Sequence, residues 1–233
     1  MLGIIILLVL SWLVLRYTVK QPICVLGFSP PGRRLVQLAA GFALAAVLCT
    51  AVQWSEIALT QKDWEVNAAY SIAQFGSVLW WNTKSVLFEE LIFRGALLAV
   101  AIRLYGMRKG VLLSAAAFGI YHWFSYGVFG NLPVMAFVFL TTFAAGAAWA
   151  YAYARTGSIA LAIGSHLGWN AANAVLFSEG PLGKQLMTTT EGAGYTPLTG
   201  IPSLLFFIAS NAVLPAAVYL IAKRYSASSS VRE

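Results

Sequence analysis

The chain has 233 residues, 60% of them hydrophobic and 10% charged, with a mean hydropathy of +0.76 and a formal net charge of +7. These values fall outside the soluble globular range and leave no room for a second, soluble domain. They imply one integral membrane domain over 1–233, an all-α polytopic helix bundle of about seven to eight transmembrane helices. The basic residues stand in short clusters between apolar runs rather than on one helical face, which excludes nucleic acid and makes the lipid bilayer the expected partner.

The first span is expected over 2–15; its basic residues, Arg16 and Lys20, follow the apolar run, the reverse of a cleavable leader. A basic connection over 16–34, broken by Ser29-Pro30-Pro31-Gly32, leads to a second span at about 35–59. The segment 66–81 is apolar but short, with Asn67, Ser71, Gln74 and Gly76 spread through it, and is expected to be interfacial or re-entrant. Further helices are expected at about 85–104, 111–126, 134–154, 158–177 and 203–222. A long polar loop falls between the last two, and a frayed tail covers 226–233. Cys24 and Cys49 stand alone and are expected to be packing residues.

If 66–81 does not cross, every basic connection falls on one side, and the positive-inside rule puts that side in the cytoplasm. Glu89 would then lie one turn from the start of its helix, His122 near the end of its own and His166 about midway. All three would be displaced toward the opposite side.

Within the run Phe88-Glu89-Glu90-Leu91-Ile92-Phe93-Arg94-Gly95, three charges interrupt sequence otherwise suited to lipid. A charged side chain at the bilayer centre costs about 2.5–3.5 kcal/mol on insertion scales, so each needs a compensating partner. Residues four apart on a helix share a face, whereas neighbours diverge by about 100°. Glu90 and Arg94 are therefore expected to pair, and Glu89 to look for a partner on another helix, or to reach the interface near Lys84. The only histidines are His122, in Phe118-Gly119-Ile120-Tyr121-His122, and His166, in His166-Leu167-Gly168-Trp169-Asn170. The latter puts an imidazole and a carboxamide on one face; an interhelical hydrogen bond is the plain structural alternative. Asn173 is expected to serve polar packing, and the tryptophans, Trp149 among them, to be core or belt residues.

Glu89-Glu90-x-x-x-Arg94, Phe118-x-x-x-His122 and His166-x-x-x-Asn170, in this order on separate helices, resemble the CAAX-protease and bacteriocin-processing family (CPBP or Abi) of intramembrane endopeptidases. The motif-bearing core covers about 85–177. The resemblance implies that Glu89 with His122 holds and deprotonates a water, while His166 with Asn170 donates hydrogen bonds to the oxyanion. Glu90, Arg94 and Phe118 then support the site. It further implies a lipidated or membrane-anchored peptide or protein substrate, a C-terminal sorting tail included, and a bacterial cytoplasmic membrane. No cofactor and no metal ligand are expected; HExxH is absent, and a zinc-dependent version of the same protease is the alternative. A non-enzymatic immunity or scaffold protein and a proton-linked transporter are the rival readings.

Overall fold

Hydrocarbon offers no water to backbone N–H and C=O groups, so a chain this apolar closes its hydrogen bonds within helices. The computed structural model, which describes residues 2–177 and 185–225, is 79% helical. The elements in chain order are α1 (Leu2–Val14, continued by a π turn Leu15–Val19), α2 (Pro31–Thr60), β1 (Asp63–Val66), α3 (Ile72–Phe93) and α4 (Ala96–Ser125). They are followed by α5 (Leu132–Thr156), α6 (Ala160–Ala172, continued by a π turn Asn173–Phe177), β2 (Met187–Thr190) and α7 (Gly200–Lys223). The tail expected to fray and the first part of the loop before α7 lie outside the described residues.

Four stretches are long and apolar enough to cross a membrane: Leu2–Val19, Ile23–Thr60, Leu132–Thr156 and Gly200–Lys223. The expected seven to eight spans are not reached by that measure, for a physical reason. The remaining helices are interrupted by charged and polar residues, as α3 and α4 are, or are short, as α6 is, and of these only α6 is buried along nearly its whole length.

The segment over 66–81 differs from expectation. It does not form a separate interfacial piece before a helix at 85, because Ser71 caps α3. The Ser71 hydroxyl accepts from the Gln74 N–H while the Gln74 side chain accepts from the Ser71 N–H, a reciprocal box that starts the helix thirteen residues early. Nor does that helix continue to 104. It stops at Phe93, with Arg94 as its C-cap, and the chain re-enters a helix at Ala96. Glu89 and Glu90 thus occupy the last turn of α3, not a first turn. α4 is bent at Gly106 (φ +81°, ψ 162°), and Gly110 packs against Ile102, so that 107–125 folds back beside 96–105. The fold-back returns Ser114 to the end of α3, where its hydroxyl donates to the Phe93 carbonyl at 2.7 Å.

The all-α expectation needs one addition, a small antiparallel ribbon in which β1 pairs with β2, Asp63 opposite Thr190 and Val66 opposite Met187. It links the α2–α3 connection to the segment after α6, with Leu186 N–H donating to the Val175 carbonyl and Thr196 N–H to that of Thr60. At the other end of the bundle, Arg34 reaches the Thr156 carbonyl, Ile159 N–H the Leu26 carbonyl, and Arg155 the carbonyls of Lys223 and Tyr225. Arg34 of α2 and Arg155 of α5 thus lie at the end of the bundle away from the ribbon.

α6, which carries His166, lies unusually close to α2. A Cβ at Gly164 would overlap the Leu38 carbonyl and one at Gly168 the Phe42 carbonyl, while Gly41 on α2 faces Leu161 and Ser165 in return. Small residues four apart let two membrane helices approach to backbone contact. Gly168→Ala should therefore lower stability by about 1–3 kcal/mol through overpacking. Unfolding midpoints in mild detergent will read this, and a midpoint equal to that of the native chain would mean that the two helices are not held at this distance.

Candidate active site

The last turn of α3 is fixed from three sides, by the Ser114 tether, by the core around Val86, Leu91 and Leu98, and by the ring pair Phe93–Phe118 at 5.1 Å. It delivers both glutamates to one imidazole. Glu90 Oε1 accepts from His166 Nδ1 at 2.8 Å, and Glu89 Oε2 lies 3.8 Å from His166 Nε2. The sequence argument sent the two carboxylates to different faces, which backbone directions do favour. His166 defeats that divergence because its ring lies between them and presents one nitrogen to each.

Arg94 Nη1 stands 3.4 Å from the same Glu90 Oε1, and both side chains are fully buried. The expected pair is therefore present, although Arg94 lies just beyond the helix. Its guanidinium sits over Phe118 at 4.0 Å and over Trp149 at 5.0 Å, so aromatic faces supply part of the electrostatic support. None of the guanidinium nitrogens of Arg94, nor Glu90 Oε2, makes a hydrogen bond among the described residues. The centre is held by charge and ring contact more than by a closed hydrogen-bond network.

His166 is gripped on its face as well as its edge. Trp149 of α5 stacks on it with centroids 4.1 Å apart and planes 18° from parallel, and the Trp149 indole N–H donates to Ser165 Oγ at 2.9 Å. Sequence reasoning passed over Trp149 as ordinary core. The signal it could have used is its spacing of three from Gly146, since both face Phe118.

His122, in the last turn of α4, is buried and makes a 2.8 Å bond from Nδ1 to the Phe118 carbonyl. A carbonyl only accepts, so Nδ1 carries the hydrogen and Nε2 remains available. Its ring packs on Phe118 at 4.3 Å, and the same Phe118 ring contacts His166 at 6.2 Å, placing the two histidines around one phenylalanine. Tyr126 adds a ring contact to His122 at 5.0 Å.

The structure does not bring every predicted residue into direct contact. The ion contact of Glu89 is to His166 and not to the expected His122, and Ser85 Oγ approaches its other oxygen at 3.4 Å. Asn170, one turn beyond His166, is half-buried and makes no hydrogen bond among the described residues. Asn173 turns away, accepting from Gln53 Nε2 at 2.9 Å, as polar packing requires. Among the described residues, no three His, Cys, Asp or Glu side chains are grouped so that they could hold a metal ion.

Residues 71–172 match the family model described as type II CAAX prenyl endopeptidase Rce1-like. The match spans the stretch that holds the site and supports assignment to the CAAX-protease family. The match begins at the Ser71 cap and ends at the last residue of α6, so it contains the glutamates, Arg94, both histidines and Asn170. The match supports a CAAX-type intramembrane protease in general terms, and the apolar helices support an integral membrane protein. No curated protein and no solved structure matches the chain.

Proposed function

We propose that the chain hydrolyses a peptide bond in a lipidated or membrane-anchored peptide or protein tail, without a metal, in a bacterial cytoplasmic membrane. The observation that carries this reading is the convergence of Glu89 and Glu90 on the two nitrogens of His166, inside a stretch that matches a protease family.

In this mechanism a water bound by Glu89 gives a proton to the carboxylate as its oxygen attacks the scissile carbonyl carbon. The free Nε2 of His122, across the Phe118 ring, orients the same water. The carbonyl oxygen becomes an oxyanion, to which His166 Nε2 and the Asn170 carboxamide donate hydrogen bonds. Collapse breaks the C–N bond, and the proton held by Glu89 passes to the leaving amine. Preorganised donors of this kind are worth about 2.7–4 kcal/mol each in comparable oxyanion holes.

Glu90 has a separate task. By accepting from Nδ1 it fixes the ring so that Nε2 faces the reaction centre, while Trp149 fixes the ring plane and Arg94 balances the carboxylate charge. A carboxylate–histidine bond sets tautomer and orientation in the same way in other hydrolytic sites.

The test uses the full chain in proteoliposomes with a fluorogenic peptide bearing a lipidated cysteine near its C-terminus. Cleavage should proceed unchanged after exhaustive treatment with chelators. Activity that is lost on chelation and returned by zinc would replace this mechanism with the metal-dependent alternative. A sorting-tail peptide assayed beside the lipidated one separates the two substrate classes.

A further inference from the structure

We infer that the basic end of the bundle holds the phosphate of an anionic membrane lipid, in a site built by Arg33 and Arg34 of α2, Arg155 of α5 and Gln37 one turn further into α2. The inference concerns binding and does not depend on the protease mechanism.

The cluster is assembled by specific contacts and not merely by composition. Arg34 donates from Nε to the Ser29 carbonyl at 3.1 Å, and from Nη1 to Gln37 Oε1 at 3.0 Å and the Thr156 carbonyl at 3.2 Å. Arg155 donates to the carbonyls of Lys223 and Tyr225. Arg33 lies over the Tyr225 ring at 6.0 Å. Three guanidinium groups from two helices are thereby held around the short stretch formed by Thr156 and Tyr225, and among the described residues no carboxylate forms an ion pair with any of them. Topology alone requires basic residues at this end of the bundle, but it does not require them to converge against their mutual repulsion.

The second observation is a surplus of buried donors. Gln37 is 3% exposed and its Nε2 has no acceptor; the buried Nε of Arg155 has none either. A buried donor without an acceptor costs about 1–3 kcal/mol. Every unmet group here is a donor, beside guanidinium forks that match phosphate oxygens in geometry. An anion with several oxygens answers that demand, whereas a cation or a neutral amide does not. The exposed apolar side chains of Leu35 and Val36 beside Arg34, and of Leu220 on α7, offer a surface for acyl chains, which favours a lipid over free phosphate.

The probe is phosphatidylglycerol. Full-length protein in nanodiscs of mixed phosphatidylcholine and phosphatidylglycerol, released into native mass spectrometry, should retain phosphatidylglycerol in preference. Arg33→Gln, which disturbs only an exposed side chain, and Arg34→Gln should each weaken retention about fivefold. Lys84→Gln, a basic residue next to Trp80 and far from the cluster in sequence, should leave it unchanged. Equal retention of the two lipids, no effect of Arg33→Gln and Arg34→Gln, or an equal effect of Lys84→Gln would overturn the site. Displacement of the lipid by inorganic phosphate alone would overturn the lipid assignment in favour of free phosphate.

Discussion

Glu89→Gln should reduce cleavage by about 10²–10⁴-fold while leaving the fold intact. The side chain is 12% exposed, and its neighbours, Ser85 Oγ and His166 Nε2, can both be met by a carboxamide of the same shape. What the amide cannot do is take a proton from water. The loss should therefore fall on kcat rather than on KM, as expected when a group acts on the transition state and contributes little to substrate binding. The assay is single-turnover cleavage in proteoliposomes, paired with a melting curve of the same preparation. If the variant still cuts at the native rate, the carboxylate is not the base, and the scaffold reading regains its place.

The second large effect is on stability. Arg94→Met leaves the fully buried Glu90 carboxylate with only His166 beside it and should cost about 3–5 kcal/mol, the loss typical when one partner of a buried ion pair is removed. In the double variant Glu90→Gln/Arg94→Met, the Gln oxygen can still accept from His166 Nδ1 and no unpaired charge remains. That double variant should recover most of the lost stability, because replacing both partners removes the desolvation cost along with the attraction. Unfolding in a graded mixture of mild and denaturing detergent gives the ranking. A double variant as unstable as the sum of its parts would show that the two charges are not coupled, and that the 3.4 Å approach between them carries no energy.

Much of this site could be read in advance because helical spacing is a local property. The pairing of Glu90 with Arg94 follows from a separation of four, and it survives even though the helix ends at Phe93, since the C-cap still sits above Glu90. The requirement that Glu89 find a histidine on another helix was also legible, because intramembrane carboxylates need partners and the chain has only two histidines. Which histidine it meets was not. That choice depends on how far α6 is drawn toward α3, which is set by backbone contact at Gly164 and Gly168, where a missing side chain leaves little trace in hydrophobicity.

The break at Arg94 and Gly95 was hidden for a related reason: apolar content is high on both sides of it, so a window of hydropathy reads through it, whereas the turn at Gly106 falls in the gap expected between 85–104 and 111–126. The ribbon was hidden because β1 and β2 pair across more than a hundred positions of chain and neither shows strong alternation. Trp149 could be recognised as buried but not as the plate under His166, because stacking depends on the relative rotation of α5 and α6.

The division between four hydrocarbon-compatible helices and three that carry the charges has a consequence for biogenesis. A segment bearing Lys84, Glu89 and Glu90, a bent one with Arg103, Arg108 and Lys109 about its kink, and one only thirteen residues long gain little from partitioning into lipid by themselves. They acquire their position from neighbouring helices, so the cluster of Glu89, Glu90 and His166 comes into being only after α6 has been synthesised and has packed against α3.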